Sequence, residues 1–239
     1  MLADISPHSL QSGMLATDLH LPGSSLLRLL DFIGDELPRW RDRGDRRAES
    51  SETILTSQLC AHLNSAARHA PGWDILQFRA EESDETNKGR KIDLVPAPCG
   101  VTIWIDGRRY SDFEALLPIE CKRLPTPTGS KRDEREYVTS SLSSTGGIHR
   151  FKNALHGSSY SIAAMIAYVQ EDTNAVWFER VCAWITALAA AGDQGWADAD
   201  QLHLKSADSD KRTSILTSRH TRAKGLSEIE LRHFWLEMN

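Results

Sequence analysis

Apolar residues recur at two different spacings along this chain, and the change between them divides it into helices and strands. In Leu26-Leu27-Arg28-Leu29-Leu30-Asp31-Phe32-Ile33, preceded by Ser24-Ser25 as candidate caps and followed by Gly34 and Pro38, the pattern predicts a short helix at the domain edge. Ile54, Leu55, Leu59, Leu63 and Ala66 keep helical spacing from Ser51 or Glu52 to about His69, where Pro71-Gly72 stops the run. The middle of the chain changes character. Trp73–Arg79 and Lys91–Val95 have strand content and flank the acidic run Glu81–Glu85 and Asn87-Lys88-Gly89, which predicts a hairpin with an exposed turn. Pro96 and Pro98 are expected to stop the second strand. Val101–Ile105 with the turn Asp106-Gly107, and Leu116–Leu124 ended by Pro125, predict further strands.

From Pro125 to Gly147 the chain is polar and reads as a partly mobile loop. Gly146-Gly147 opens a helix through Phe151 and Leu155 to His156-Gly157. Ser161–Val169 reads as a fully buried strand, although the same apolar run fits a helix equally well. Trp177–Ala191 is an amphipathic helix stopped by Gly192; Leu202–Leu204 and Ser214–His220 suggest a terminal strand pair; Leu231–Met238 fits a last strand or a short helix. There is no internal repeat. Helices and strands interleave, so the expected class is mixed α/β: a central mixed sheet flanked by helices, with an extra N-terminal helix and C-terminal strands.

Composition narrows the function classes. With 239 residues, 40% hydrophobic and 26% charged, the chain is long enough for one generous domain. A formal charge of −5 excludes a body that coats nucleic acid by charge alone, so any such contact needs a local patch. No apolar run approaches the ~18 residues of a membrane span, and Met1–Leu10 holds Asp4 without Lys or Arg, so the expectation is a cytoplasmic chain without span or signal peptide. Cys60, Cys99, Cys121 and Cys182 stand singly, which disfavours a zinc site and favours reduced, mostly buried thiols. Arg39, Arg41, Arg43, Arg46 and Arg47, interleaved with Asp42, Asp45 and Glu49, read as a solvated basic face rather than a nucleic-acid contact. Lys211, Arg212, Arg219, Arg222 and Lys224, with His220 and no acid between 211 and 225, are the stronger phosphate-contact candidates. Trp177, Trp184, Trp196 and Trp235 lie among apolar neighbours and read as packing.

The chemistry-bearing pattern is Gly89-Arg90-Lys91-Ile92-Asp93 followed, 27 positions after Asp93, by Glu120-Cys121-Lys122. Strand alternation puts Glu120 and Lys122 on one face and Ile119 and Cys121 on the other. A carboxylate and an ammonium on a central strand are costly to bury unless paired, and Asp93 on a neighbouring strand adds a second acid that repels the first. A hard divalent cation such as Mg²⁺ relieves that conflict, and a lysine beside it can hold or help deprotonate a nucleophilic water and offset charge on a phosphate. Glu52 lies on or beside the buried stripe of its helix. That is an odd place for a carboxylate, unless it serves only the first-turn dipole.

This pattern resembles the PD-(D/E)XK nuclease superfamily, the restriction-endonuclease-like fold, over about residues 50–170. The resemblance implies Asp93 as the motif aspartate, Glu120 as its acidic partner and Lys122 as the lysine. It further implies metal ligation by Asp93, Glu120, the Cys121 backbone carbonyl and Glu52, with Mg²⁺ or Mn²⁺ as cofactor. Ile92 stands where the family has proline, and the 26 residues between Asp93 and Glu120 imply an inserted strand or loop. Arg150 matches the family's polar residue facing the scissile phosphate, or is an ordinary surface arginine. The implied partition is a helical extension (1–48), the nuclease-like core (49–170) and a C-terminal helix with strands (171–239), all in one domain. The implied activity is DNA cleavage in bacterial defence, beside a helicase or other ATPase or as a homodimer. A catalytically silent module that binds a partner protein or nucleic-acid end, and an RNA-directed nuclease, are the alternatives.

Overall fold

The computed structural model describes residues 24–84, 89–127, 132–140, 146–192 and 195–239. Residues 85–88, in the expected acidic turn, and parts of the loop expected between Pro125 and Gly147 lie outside the described residues. Helices α1 (Ser24–Arg41) and α2 (Glu52–His69) lead into a hairpin of β1 (Leu76–Ser83) and β2 (Lys91–Pro98). A small hairpin, β3 (Ile103–Ile105) and β4 (Arg108–Tyr110), precedes β5 (Ile119–Leu124) and α3 (Gly147–Lys152). Then follow β6 (Ile162–Val169), α4 (Asn174–Ala190), β7 (His203–Asp208), β8 (Thr213–His220) and β9 (Ile229–Glu237). Seven strands form one mixed sheet in the order β1-β2-β5-β6-β9-β8-β7, with β5, β6 and β9 parallel and the other pairs antiparallel.

The ambiguous run 161–169 is a strand because it has parallel partners on both sides, β5 and β9, and is covered on both faces. One face packs on α1 and α2 through Leu94, Ile119, Cys121, Ile166, Tyr168 and Phe234. The other packs on α3 and α4 through Leu124, Met165, Ala167, Leu231 and Trp235. The last strand, β9, is likewise held between β6 and β8. Trp177, Trp196 and Trp235 are buried in the second face, and Trp184 packs against it. The four cysteines are free; Cys121 is buried, Cys60 and Cys182 are half-buried, and Cys99 is exposed.

Several expected boundaries move: α3 ends at Lys152 rather than near His156, β5 starts at Ile119 rather than Leu116 and β1 at Leu76 rather than Trp73, and three further changes have a clear physical reason. Helix α1 runs through Gly34 and Pro38 to Arg41 instead of stopping there. Its buried stripe, Leu26, Leu29, Leu30, Ile33, Leu37 and Trp40, offsets the ~3 kcal/mol cost of an internal proline. Gly34 serves a close crossing: a Cβ there would lie 2.8 Å from the Phe234 ring. Strand β1 extends into the acidic run as far as Ser83, because it is the edge of the sheet and leaves its charged side chains in solvent; Lys91 Nζ meets Glu81 Oε2 at 2.8 Å. Strand β2 continues through both prolines. The Pro96 carbonyl accepts from Leu116 N at 2.8 Å, so the ring nitrogen also faces away from β1 and costs no ladder bond.

A chain of buried polar groups crosses the second face. Lys152 Nζ lies 2.7 and 2.8 Å from the Asp200 oxygens, and Asp200 Oδ1 lies 2.6 Å from His220 Nδ1. Ser218 Oγ then bridges His220 Nε2 at 2.6 Å and His233 Nε2 at 2.8 Å. His233 Nδ1 meets the Tyr137 hydroxyl, which accepts from Trp235 Nε1, both at 2.8 Å. With both imidazoles neutral, as their burial favours, donor capacity assigns every proton. The ionised Asp200 only accepts, so His220 donates from Nδ1 and accepts the Ser218 proton at Nε2; His233 donates to Ser218 and accepts from Tyr137. Ser218, His220 and Asp200 thus have the connectivity of a nucleophile, base and acid. The hydroxyl is 1% exposed and already saturated by His233, so no substrate reaches it.

Burial depresses the His233 pKa to about 3 and also lowers that of His220. A native pKa below the unfolded value means that neutral His233 stabilises the fold above about pH 6.5, and that this contribution drains away as pH falls towards 3. At pH 5 the loss from His233 alone is about 2 kcal/mol. Denaturant unfolding of wild type and His233→Gln at pH 7.5 and pH 5 should show a weaker pH dependence in the variant; equal dependence would contradict the assignment.

Candidate active site

The site forms where two strands part. β2 and β5 pair at one register point, Leu94↔Ile119, and beyond it they separate. The β5 amides that would face a neighbouring strand are taken by carboxylates instead. Asp93 Oδ2 accepts from Cys121 N at 2.7 Å, and Glu52 Oε2, from the first turn of α2, accepts from Arg123 N at 3.1 Å. The Cys121 carbonyl accepts from Lys122 Nζ at 2.9 Å. Buried backbone groups need such partners, which is one reason for acids to stand here.

Lys122 is the hub. Its Nζ lies 2.9 Å from Glu120 Oε1, 3.3 Å from Glu52 Oε1 and 3.8 Å from Asp93 Oδ2. Glu120 is fully buried on the α3 side of the sheet. Its Oε1 is also paired with the Arg150 guanidinium, and its Oε2 faces His156 Nδ1 at 3.4 Å without a hydrogen bond. Burial would raise the Glu120 pKa, but Lys122, His156 and Arg150 outweigh it and hold the carboxyl at about 2. Asp93 goes the other way: burial and the Glu120 charge push it up to about 7, against the pull of Lys122. Lys122 loses by burial yet is raised overall, because Glu120, Asp93 and Glu52 surround it. It is an ammonium at neutral pH.

The donor chemistry suits a hard cation. Three carboxylates face two permanent cations, Lys122 and Arg150, and the Asp93 and Glu52 side chains remain 27% and 20% exposed. Glu120 Oε2 is buried without a hydrogen-bond partner, and Asp93 Oδ1 takes no hydrogen bond among the described residues. As they stand, the described residues contain no group of three or more His, Cys, Asp or Glu spaced to hold a metal, and Lys122 Nζ lies between the acids. The acids fit an Mg²⁺-like ion by charge and oxygen donors, but not by their present spacing.

Asp93, Glu120, Lys122, Glu52 and the Cys121 carbonyl are thus brought together, and Arg150 reaches them through Glu120. The helix that carries Arg150 is seated closely. A Cβ at Gly146 would lie 2.4 Å from Thr139 Cα, and one at Gly147 2.7 Å from the Tyr137 carbonyl. His156 and the partnership of Arg123 N with Glu52 had no signal in residue spacing; both depend on where loops return.

The basic stretch 211–224 does not form one patch. Strand β8 lies between Lys211-Arg212 and Arg222-Lys224, so these pairs stand roughly 26 Å apart. His220 is fully buried and bonded at both nitrogens, which withdraws it from any phosphate. Arg222 is buried too, pinning Gly157 O, Ser158 O and Ser227 O at 3.2, 3.3 and 2.6 Å. Lys211 pairs with Asp208 at 3.4 Å and Arg219 with Glu230 at 3.1 Å; only Arg212, Arg219, Lys211 and Lys224 of the six reach solvent. The charge pattern was visible along the chain, whereas the inward turn of alternate β8 residues depends on which face is covered.

Comparison with known proteins finds no matching family model, curated protein or solved structure. The fold defines an α/β protein with a seven-stranded mixed sheet flanked by helices. No helix among the described residues is long and apolar enough to cross a membrane.

Proposed function

We propose that this chain is a metal-dependent nuclease of the PD-(D/E)XK kind with a restriction-endonuclease-like core. The observation that carries the reading is the meeting of Asp93, Glu120 and Lys122, distant in sequence, where β2 and β5 part, with Glu52 beside them. Mg²⁺ or Mn²⁺, when bound, supplies an acidified water and neutralises phosphate charge. Asp93 and Glu120 would hold it, with Glu52 and the Cys121 carbonyl at its margin. Lys122, kept cationic by its three carboxylates, stabilises negative charge developing on the phosphate and does not act as a base. Arg150 fixes the Glu120 carboxylate through its ion pair. The proposal takes DNA as substrate, in cytoplasmic bacterial defence, with a partner ATPase or a second copy of the chain supplying what a net charge of −5 does not: a grip on the polymer.

The test is digestion of supercoiled and linear DNA, single strands and RNA with Mg²⁺ or Mn²⁺, comparing wild type with Asp93→Ala and Glu120→Gln. Cleavage lost in both variants is the expected result; cleavage unchanged in either removes the mechanism, and preference for RNA replaces DNA as substrate. One observation favours the second reading, a silent module. Lys122 and the β5 amides already satisfy the acids in part, as a structural plug would. Absence of Asp93-dependent Mn²⁺ binding in calorimetry would support that reading.

A further inference from the structure

The basic stretch after α1 does more than face solvent. It folds back along α2, with Arg47 O accepting from Gln58 Nε2 at 3.2 Å, and borders an open cleft of about 350 Å³ whose lining includes Arg43, Asp45, Arg46, Arg47, Gln58 and His62. Arg46 lies over the Trp40 ring at 5.4 Å and donates from Nε to Arg41 O at 3.1 Å. Its Nη1, together with Gln58 Oε1 and His62 Nδ1, is buried without a hydrogen-bond partner among the described residues. The His62 side chain is nine-tenths buried and held by Glu36 at 2.9 Å through its other nitrogen. Of these atoms Arg46 Nη1 is a donor that a phosphate oxygen would satisfy, whereas Gln58 Oε1 and, in the neutral ring that donates to Glu36, His62 Nδ1 are acceptors that need a donor from the ligand.

We infer that this cleft binds the phosphate backbone of a polynucleotide strand; the inference rests on the nuclease reading and adds a holding site to it. Guanidinium forks suit phosphate oxygens, and the Gln58 carbonyl suits a hydroxyl or amine donor on the same strand. Glu52 marks the candidate active site at the start of α2, and Gln58 and Ser65 follow at about 9 and 20 Å along the axis, on a face turned by roughly 120–140° from that of Glu52, so a strand reaching both would cross the helix obliquely. That reach spans a few consecutive phosphates of one strand. Two acids oppose the site. Glu36 holds His62, and Asp45 takes both the Nε and Nη2 of Arg43 at 2.8 and 2.6 Å.

The decisive experiment is fluorescence anisotropy with a labelled 20-base-pair DNA duplex, and with single-stranded DNA and RNA of equal length, in EDTA at several salt concentrations. The Arg43→Ala/Arg47→Ala double variant changes two exposed side chains and should fold normally. It should bind on the order of tenfold more weakly, with a salt slope shallower by ~0.9 for each phosphate that the two arginines neutralise. Asp45→Asn frees Arg43 and should bind more tightly, an effect that no folding defect produces. Arg180→Ala, on α4 at the other face of the sheet, should bind as wild type. Equal affinity and slope in the double variant, or an equal loss in Arg180→Ala, overturns the inference, as does wild-type protein that binds none of the three probes. Asp93→Ala should fail to cleave, so a failed cleft with an Asp93-dependent nuclease sinks only the inference, and Asp93-independent cleavage sinks only the reading.

Discussion

Lys122→Met should abolish most of the cleavage activity and destabilise the protein unless a divalent cation is added. The Nζ lies within 3.8 Å of Glu52, Asp93 and Glu120, and among the described residues the fully buried Glu120 keeps only Arg150 as a permanently charged partner once the lysine is gone. Breaking a buried pair costs ~3–5 kcal/mol, and the surviving Arg150 contact places this variant near the lower end. For a chain of this size that is a fall in Tm of roughly 6–12 °C. Losing the ammonium that stabilises phosphate charge should lower the cleavage rate by about 100- to 1000-fold. The discriminating measurement is a thermal scan with and without millimolar Mg²⁺. If the carboxylates are a cation site, the ion takes over part of the lysine's charge, and it raises the variant's Tm by more than that of wild type. A variant that cuts as wild type does would remove the role of the lysine, and a Tm that ignores Mg²⁺ and Mn²⁺ in both proteins would remove the metal site.

Asp200→Ala should unfold the protein more readily than any surface substitution, by about 3–5 kcal/mol. The carboxylate accepts from Lys152 with both oxygens and from His220, and both partners are buried. Its removal strands an ammonium in the interior and deprives His220 Nδ1 of its acceptor, so the proton order through Ser218 and His233 is lost as well. Lys152→Met/Asp200→Leu removes both charges together and should recover much of the loss, because no buried ion is left unpaired. Urea unfolding of the single and double variants measures this directly. A single variant within ~0.5 kcal/mol of wild type, the range of ordinary surface changes, would mean that the chain of hydrogen bonds contributes little. Lys152 is on the same short helix as Arg150, so the single variant should also loosen the Arg150–Glu120 pair.

The elements whose periodicity is local were readable in the chain. Helices α2 and α4, the β1–β2 hairpin, the β3–β4 insertion and the β7–β8 pair stand close to their expected places, because each buries a stripe whose spacing matches its own geometry. Asp93, Glu120 and Lys122 were readable for a related reason. Charged residues inside apolar strands violate the local rule, and such violations concentrate at sites. Helix α1 was expected too short because Gly34 and Pro38 look like stop signals; the close approach of Phe234, some two hundred positions away, accounts for Gly34, and the buried stripe through Leu37 and Trp40 offsets Pro38.

The residue types and alternation of the sequence by themselves determined an α/β chain and which acids and lysine share a strand face. The tertiary structure decided whether a strand neighbour exists to cover each face and fill each edge. The parting of β2 from β5 lets Glu52 reach across to the Arg123 amide, and the packing of α3 and α4 turns His220 inward, away from the basic residues beside it in the chain. Charge and spacing act over a few residues, whereas burial and hydrogen-bond partners are set by segments that meet only when the sheet closes.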